Sequence, residues 1–338
     1  MAPVPVLIEM HPACAEHDTG GAHPERASRL SAVHRGLEVA LASEAAVVVT
    51  PREATRDEIT RVHDPATVDA IEAFCLAGGG HIDADTTASV GSWKAALAAA
   101  GGALDAVQRL RAGEADAAFV AVRPPGHHAT PDQAMGFCLL NNVAIAAAAL
   151  ADAGERVLIV DFDAHHGNGT QDAFYSDDRV LYVSLHQSPL YPGTGRVAER
   201  GSGNGLGATV NIPVPPGATG DVYLAALDEV VFPVAERFAS TWLIISAGFD
   251  GHRDDPLTDL GLTSGDFSEL TSRLCSLAPA GRRVAVLEGG YDLAALAAST
   301  EACVAALAGE RVHPEGVTSG GPGRGVVEAA RSIHVEGR

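Results

Sequence analysis

Asp and His residues alternate along a short stretch that follows an apolar segment. The apolar segment is Val157–Val160, and Asp161, Asp163 and His165 come directly after it. Successive side chains of an extended strand point to opposite faces, so these three share one face. Carboxylate and imidazole groups on one face suit a divalent metal such as Zn²⁺. A polar strand end would account for one such residue, but four ionisable side chains between positions 161 and 166 favour a metal site.

Three further segments at the ends of predicted strands also carry groups able to take part in catalysis. In an open parallel α/β sheet, ligands bind outside the carboxyl ends of the strands, so these groups should meet at one edge. A catalytic Zn²⁺ keeps three protein ligands and one open position for water. Asp163 and His165 therefore need one more ligand, and we predict Asp250 for that position. The three segments are Pro124–His128, Ser246–Asp250 and Glu288–Tyr291.

The chain carries a strong negative charge. Its 338 residues include 23 Lys and Arg against 43 Asp and Glu, which gives a formal net charge of -20. Binding of nucleic acid requires a basic face, so this composition argues against DNA or RNA as a partner. The charge suits a cationic substrate, although a soluble acidic surface explains it equally well. The sequence leaves the oligomeric state open, and a homo-oligomer is compatible with it.

The cysteines and the apolar segments bear on the cellular location. The five cysteines are scattered and form no C-x-x-C pair, which indicates reduced thiols in the core of a cytoplasmic protein. We expect neither a secretory signal nor a membrane span, because no apolar run approaches the ~20 residues that a membrane helix needs.

Strand and helix patterns alternate along the chain, which predicts a doubly wound, mostly parallel sheet with helices on both faces. The predicted strands are Val4–Met10, Val47–Thr50, Ala118–Val122, Val157–Val160, Val180–Leu185, Val210–Val214, Trp242–Ser246 and Val284–Leu287. The predicted helices are one that starts near Pro24 and extends to Leu41, then Arg56–His63, Pro65–Leu76, Trp93–Leu110, Asn141–Ala151, Asp221–Ala239 and Phe267–Leu277.

Two segments outside these elements are predicted to be irregular. Residues 81–92 form a long loop suited to the rim of a site. Residues 313–325 are rich in Pro and Gly, so we predict one catalytic domain over residues 1–312 and a linker with a C-terminal tail over residues 313–338.

Several motifs closely resemble those of the histone deacetylase superfamily, in its class II and bacterial branch, which includes acetylpolyamine amidohydrolases. The motifs occur in the family's order between His11 and Gly309. The resemblance implies the arginase/deacetylase fold, a three-layer α/β/α domain with a central, mostly parallel sheet of eight strands. It also implies hydrolysis of an amide on an acylated amine. The motifs are RPPGHH at 123–128, MGFC at 135–138 followed by Asn141-Asn142, DFDAHHGNGTQ at 161–171, SAGFD at 246–250 and EGGYD at 288–292.

The resemblance assigns roles to individual residues. Asp163, His165 and Asp250 match the zinc ligands of the family, in agreement with the spacing argument above. The remaining matches are His127 and His128 as the paired histidines, Asp161 behind the first and Asn168 behind the second, and Tyr291 as the donor to the substrate carbonyl.

The resemblance also implies a substrate passage and a second metal. The residues that match the lining of a narrow acyl-lysine tunnel are Gly136, Phe137, Tyr191, Leu257 and Gly290, and Asp85 matches a rim aspartate that holds the substrate backbone. A site for a monovalent cation, usually K⁺, is implied at the backbone carbonyls of Asp161, Asp163, His165 and Leu185 and the hydroxyl of Ser184.

We predict zinc-dependent hydrolysis of acyl-lysine, with a histidine as the base and Tyr291 as an oxyanion donor. An acetylpolyamine amidohydrolase would use the same chemistry on a small cationic substrate. A binuclear ureohydrolase would need further carboxylates close to Asp163 and His165, which the segment 166–168 does not supply. A catalytically inactive acyl-lysine reader is disfavoured because ligands, histidines and tyrosine are all present.

Overall fold

A parallel sheet of eight strands forms the centre of the protein in a computed structural model that describes residues 6–337. Each of the neighbouring strand pairs in this sheet is parallel, as predicted. Continuous apolar runs such as Val157–Val160 are typical of strands buried on both faces. The strands of the sheet are β1 (Val6–Glu9), β2 (Ala46–Val49), β5 (Ala117–Val120), β6 (Val157–Asp161), β7 (Val180–Gln187), β8 (Thr209–Val214), β9 (Trp242–Ala247) and β10 (Arg283–Leu287), and β3 (Gly79–His81) and β4 (Thr87–Ser89) form a separate hairpin.

Helices cover both faces of the sheet and give the predicted three-layer architecture. The helices are α1 (Ser28–Ala42), α2 (Arg56–Ile59), α3 (Pro65–Leu76), α4 (Ser92–Arg111), α5 (Asn142–Asp152), α6 (Asn168–Phe174), α7 (Gly220–Ala226), α8 (Phe232–Phe238), α9 (Ser264–Leu274), α10 (Leu293–Leu307) and α11 (Arg324–Arg331). One π-helical turn, Leu227–Val231, joins α7 to α8, and another, Ser332–Glu336, follows α11.

The strand order brings the reactive strand ends together. The order is β2-β1-β5-β10-β9-β6-β7-β8, so β5, β10, β9 and β6 are consecutive neighbours in the middle of the sheet. These are the strands that precede the four segments predicted to carry chemistry. Register pairs Asp161 of β6 with Ser246 of β9, so both chains leave the sheet at the same level.

The two faces of β6 show how small side chains allow close packing. Leu158 and Val160 lie in one apolar core, whereas Val157 and Ile159 lie in another together with alanines of α4 and α5. Because alanine keeps helices close to the sheet, the core needs few aromatic residues.

Several predicted boundaries are wrong, and buried polar contacts explain two of them. The first helix begins at Ser28, not near Pro24, because the Glu25 carboxylate is drawn to the buried Arg123 guanidinium at 2.5 and 2.6 Å. The helix predicted over Arg56–His63 ends at Ile59. The buried His63 ring instead bonds the loop before α5.

Other predicted segments also differ. The loop predicted over residues 81–92 contains the short strand β4, and α4 begins at its last residue. Helix α10 lies where no helix was predicted. The strand predicted from Val4 is described from Val6 to Glu9, and residues 4 and 5 lie outside the described residues.

The C-terminal segment contacts the rest of the structure. Glu315 accepts hydrogen bonds from His252 (2.7 Å) and from the Ser264 backbone (3.1 Å). Val327 and Ala330 of α11 are fully buried. In residues 6–337, no helix combines the length and apolar character needed to cross a membrane.

Candidate active site

Asp163, His165 and Asp250 form a compact group at the carboxyl ends of β6 and β9. The His165 Nδ1 lies 3.1 Å from Asp163 Oδ1 and 2.9 Å from Asp250 Oδ2, and one ligand atom of each residue lies within 4.8 Å of the others. Both carboxylates are fully buried. Burial and the neighbouring charge of Asp163 raise the pKa of Asp250 to about 7.

This group has the composition and spacing of a zinc site. Zinc bound by oxygen and nitrogen at ~2.0–2.2 Å keeps its ligand atoms about 3–3.5 Å apart, close to the distances observed here. A buried pair of carboxylates is stable only when a cation or hydrogen bonds offset its charge. The three residues therefore fit a divalent metal.

Glycines leave space for the carboxylates. A Cβ at Gly248 would lie 1.9 Å from Asp163 Oδ2, and a Cβ at Gly289 would lie 2.3 Å from Asp250 Oδ2. The Gly289 backbone N–H donates to Asp163 Oδ2 at 2.8 Å, and the Ala164 N–H donates to Asp250 Oδ1 at 2.8 Å. Side chains at these glycines would displace the candidate ligands.

His127 is paired with a carboxylate. Its Nδ1 lies 3.0 Å from Asp161 Oδ2, which also accepts from the Tyr182 hydroxyl at 3.1 Å. Burial disfavours the charged ring, but the charges of Asp163 and Asp161 outweigh it and hold the pKa of His127 well above its usual value. His127 is therefore suited to act as a fixed positive charge.

His128 is paired with a neutral amide. Its Nδ1 lies 2.8 Å from Asn168 Oδ1, while the Asn168 Nδ2 donates to the His128 carbonyl at 3.4 Å. An amide oxygen accepts only, so Nδ1 carries the proton and Nε2 is free to accept one. Burial and the charges of His127 and His165 lower the pKa of His128 well below its usual value. The pKa values of the two adjacent rings, which lie 4.0 Å apart, are thus shifted in opposite directions.

Tyr291 is positioned by three contacts. The Asp255 carboxylate accepts from the Tyr291 backbone N–H at 2.7 Å, the Arg29 guanidinium lies 5.0 Å from the ring centroid, and the Phe137 ring lies edge-on at 5.9 Å. Burial, together with the charges of Asp250 and Asp163, raises the pKa of Tyr291 well above its usual value. The hydroxyl therefore keeps its proton and can donate it in a hydrogen bond.

The Tyr191 ring and Gly136 lie against the His128 ring. The Tyr191 ring lies 5.1 Å from that of His128 and is 36% exposed. Gly136 has a φ of +56°, and a Cβ there would lie 2.5 Å from His128 Cδ2, so a glycine is required. The structure thus brings Gly136, Phe137 and Tyr191 next to the candidate catalytic residues. Leu257 and Gly290 lie in the loops that follow Asp250 and Glu288, respectively.

Asp85 lies in the loop between β3 and β4. It is half-buried, and its backbone carbonyl lies 3.0 Å from His23 Nε2. His23 packs on the Phe137 ring at 4.7 Å, and the Phe137 N–H donates to Thr86 Oγ1 at 3.1 Å. The loop is therefore fixed beside Phe137, which places Asp85 close to that side of the site.

Three of the residues implied in the potassium site, Asp161, Ser184 and Leu185, lie in the neighbouring strands β6 and β7, and Asp163 and His165 follow the end of β6. Asp161 pairs with Ser184 in the register of β6 and β7, and Leu185 follows Ser184. The Ser184 Oγ lies 2.8 Å from His186 Nδ1. The potassium site stays a prediction.

Glu288 has a supporting role that was not assigned from the sequence. Its buried Oε2 accepts from the backbone N–H groups of Gly126 (2.7 Å) and His127 (3.1 Å). Burial raises the pKa of Glu288 to about 7. The carboxyl thus fixes the turn that presents both histidines. The only sequence feature that pointed to Glu288 was its position in one of the segments that follow the predicted strands and carry catalytic groups.

A second buried network supports the same edge of the sheet. Arg29 donates to the carbonyls of Gly290 (2.7 Å) and Glu288 (2.5 Å) and to the Glu25 carboxylate (3.2 Å). Arg123 bonds the same carboxylate, so one buried acid joins two buried guanidinium groups. Glu25 and Arg29 are four residues apart, but Arg123 and the Glu288 and Gly290 carbonyls lie far from them in the chain, so no sequence pattern indicated the whole network.

Known proteins resemble this chain over most of its length. Residues 23–307 match the family model of the histone deacetylase domain. A probable deacetylase of Archaeoglobus fulgidus is 44% identical over 309 residues, covering 89% of this chain and 86% of that protein. A histone deacetylase-like amidohydrolase of Pseudomonas aeruginosa is 39% identical over 264 residues, covering 76% of this chain and 70% of that protein.

A solved structure agrees with the architecture. The crystal structure of the HDA15 HD domain superposes with a TM-score of 0.91 at 36% identity, covering 99% of this chain and 95% of that one. The sequence similarity and the shared fold both support a deacetylase or amidohydrolase enzyme. The chain belongs to the histone deacetylase superfamily.

Proposed function

We propose that the protein is a zinc-dependent deacetylase that removes acetyl or other acyl groups from the side-chain amine of acyl-lysine in proteins or peptides. One observation carries the proposal. A candidate metal group, Asp163 with His165 and Asp250, lies beside two histidines that have different hydrogen-bond partners. Such a combination suits hydrolysis of an amide with one proton-accepting group and one fixed charge.

Asp163, His165 and Asp250 would hold the zinc. When bound there, zinc polarises an acyl carbonyl and lowers the pKa of water. Buried carboxylates and the glycines behind them fix the ligand atoms, so little rearrangement accompanies binding.

The two histidines divide the proton transfers. His128 accepts the proton of the attacking water at Nε2, because Asn168 holds the other nitrogen protonated. The same ring then protonates the leaving amine. His127 keeps its proton because Asp161 lies 3.0 Å away, and it contributes positive charge to the site.

Tyr291 donates a hydrogen bond to the oxygen that becomes negative as water attacks the acyl carbon. Gly136, Phe137, Tyr191, Leu257 and Gly290 are proposed to line the passage for the acyl-bearing chain. A passage with apolar and aromatic walls excludes water from the leaving amine and suits the methylene groups of lysine. Asp85 is proposed to hold the substrate at the rim.

An acetylated polyamine is the alternative substrate, and the net charge of -20 favours a cation. Release of the acyl group as its carboxylate is to be measured from an acetyl-lysine peptide, from peptides with longer acyl chains, and from acetylated putrescine and spermidine. A higher kcat/KM for the peptides supports the proposed substrate, and a higher value for the polyamines supports the alternative. No acyl release from any of them contradicts the proposed function. The cytoplasmic location and the domain boundary at residues 312 and 313 stay predictions.

A further inference from the structure

A separate cavity of about 590 Å³ lies at the opposite edge of the sheet from the candidate active site. Its lining includes Arg156, which precedes β6, Leu181 near the start of β7, and Ala208, which precedes β8. The candidate metal ligands lie beyond the other ends of these parallel strands. His334 and Val335 of the C-terminal segment close one side. Its volume lies within the range of about 300–1,000 Å³ typical of small-molecule sites.

Three arginines line this cavity. They are Arg156, Arg200 and Arg237. Throughout residues 6–337, no carboxylate oxygen lies within 4.0 Å of their guanidinium nitrogens, whereas most other arginines have such a partner. Asp178 also lines the cavity but forms no ion pair with them. The chain as a whole has a net charge of -20, so a cavity with a cluster of unpaired cations is unusual in it and is suited to bind an anion.

The guanidinium groups retain free hydrogen-bond donors. Arg156 donates Nε to the Phe238 carbonyl at 2.8 Å, and Arg237 donates one terminal nitrogen to the His334 carbonyl at 2.7 Å. The Arg200 Nε is buried and has no hydrogen-bond partner. Leaving a buried charged donor unpaired is unfavourable, and an oxyanion would accept from it.

The pKa of His334 also reflects the positive charge of the arginines. Burial, followed by the charges of Arg200 and Arg237, lowers the pKa of His334 to about 4. The ring is therefore neutral at physiological pH, and its Nε2 donates to the Val197 carbonyl at 3.1 Å. Because the ring is neutral, the positive charge in the cavity comes from the three arginines.

The walls between the arginines are apolar. They include Leu181, Leu206, Val234, Phe238 and Val335. We propose that this cavity binds a small organic phosphate, with its phosphate on the three guanidinium groups and its organic part against the apolar walls. Guanidinium groups match the geometry of phosphate oxygens, and a cavity of this size accommodates an organic part as well.

Phenyl phosphate is the probe, because it combines a phosphate with an apolar ring, and inorganic phosphate is the comparison. Isothermal titration calorimetry on the full chain should give a dissociation constant below about 1 mM for phenyl phosphate and weaker binding of inorganic phosphate. Arg200→Gln and Arg237→Gln should each weaken binding by roughly 10- to 100-fold, the usual effect of losing one charge-assisted hydrogen bond.

Arg196→Gln is the matched control. Arg196 is exposed, lies in the same loop as Arg200 and does not line the cavity, so its removal should leave the affinity unchanged. Unchanged deacetylase activity of each variant shows that it is folded. The proposal is overturned if phenyl phosphate does not bind, if Arg196→Gln weakens binding as much as Arg200→Gln, or if neither cavity variant weakens it. Phosphate binding at the candidate metal group would produce the last result.

Discussion

Replacing Asn168 by Asp tests whether the partner of each histidine sets its role. The substitution keeps the size of the side chain and places a carboxylate where the amide oxygen now lies, 2.8 Å from His128 Nδ1. Both residues are buried, so solvent screens the new charge weakly. Asn168→Asp would give His128 a carboxylate partner, as His127 already has in Asp161.

The expected change in the pKa of His128 follows from this geometry. A carboxylate within hydrogen-bond distance favours the protonated imidazole and raises the pKa of a histidine by roughly 1–3 units. The proton-accepting form of His128 then becomes less populated by about tenfold for each unit at pH values below the new pKa. The acidic limb of the kcat/KM profile should therefore move up by about 1–3 pH units, while the alkaline plateau falls only a few-fold.

The assay is acetate release from the preferred substrate between pH 5 and pH 10 at saturating zinc. Asn168→Ala is the neutral control, because it removes the acceptor without adding charge. It should lower kcat/KM at all pH values and leave the acidic limb where it is. An unshifted limb in Asn168→Asp, with zinc still bound, would refute the assignment of His128 as the base.

Two further predictions concern single groups. Tyr291→Phe removes only the hydroxyl, so kcat should fall by roughly 10²- to 10³-fold with little change in KM, and a near-normal kcat in steady-state kinetics would exclude the hydroxyl from the reaction. Glu9→Gln tests a buried carboxyl outside the site: burial and then the charge of Asp105 raise its pKa from 4.5 to about 8. The folded protein thus keeps a proton that the unfolded chain releases, and stability should fall as pH rises between these values. Glu9→Gln should remove that slope and gain a few kcal/mol at pH 9 in urea denaturation, whereas an unchanged slope would show that Glu9 ionises normally.

Local patterns predicted the fold because each strand of the sheet is short, apolar and bounded by turns. Apolar character and β-branched residues were enough to predict the strands Val157–Val160 and Trp242–Ser246. The helix Leu293–Leu307 was missed because its many alanines give no amphipathic stripe. It packs between α1 and α9 and is buried on most sides.

The candidate site was predicted mainly from groups placed at strand ends. Asp163, His165 and Asp250 were predicted together because the carboxyl ends of parallel strands share one edge. The strand order that makes β6 and β9 neighbours was beyond local patterns, since it depends on how the connections cross the sheet.

The supporting carboxyls were harder to predict. Glu288 accepts a hydrogen bond from the His127 backbone, 161 positions away in the chain. Glu25 accepts one from Arg123, 98 positions away. Pairings over such distances leave no spacing signal in a single sequence. The left-handed backbone of Phe137, with a φ of +68°, is likewise imposed by the fold, because a side chain there disfavours that conformation.

Metal content measured together with acetate release tests the central claim most directly. Purified protein should contain one zinc per chain by mass spectrometry and should release acetate from the preferred substrate. Asp250→Ala should lose both while remaining folded, because it removes a buried candidate ligand whose oxygen lies 2.9 Å from His165 Nδ1. Asp228→Ala is the control: this aspartate is 53% exposed, pairs with Arg273 and should be dispensable for both. Full zinc occupancy in Asp250→Ala, or undiminished acetate release from a zinc-free chain, would contradict the proposed metal-dependent mechanism.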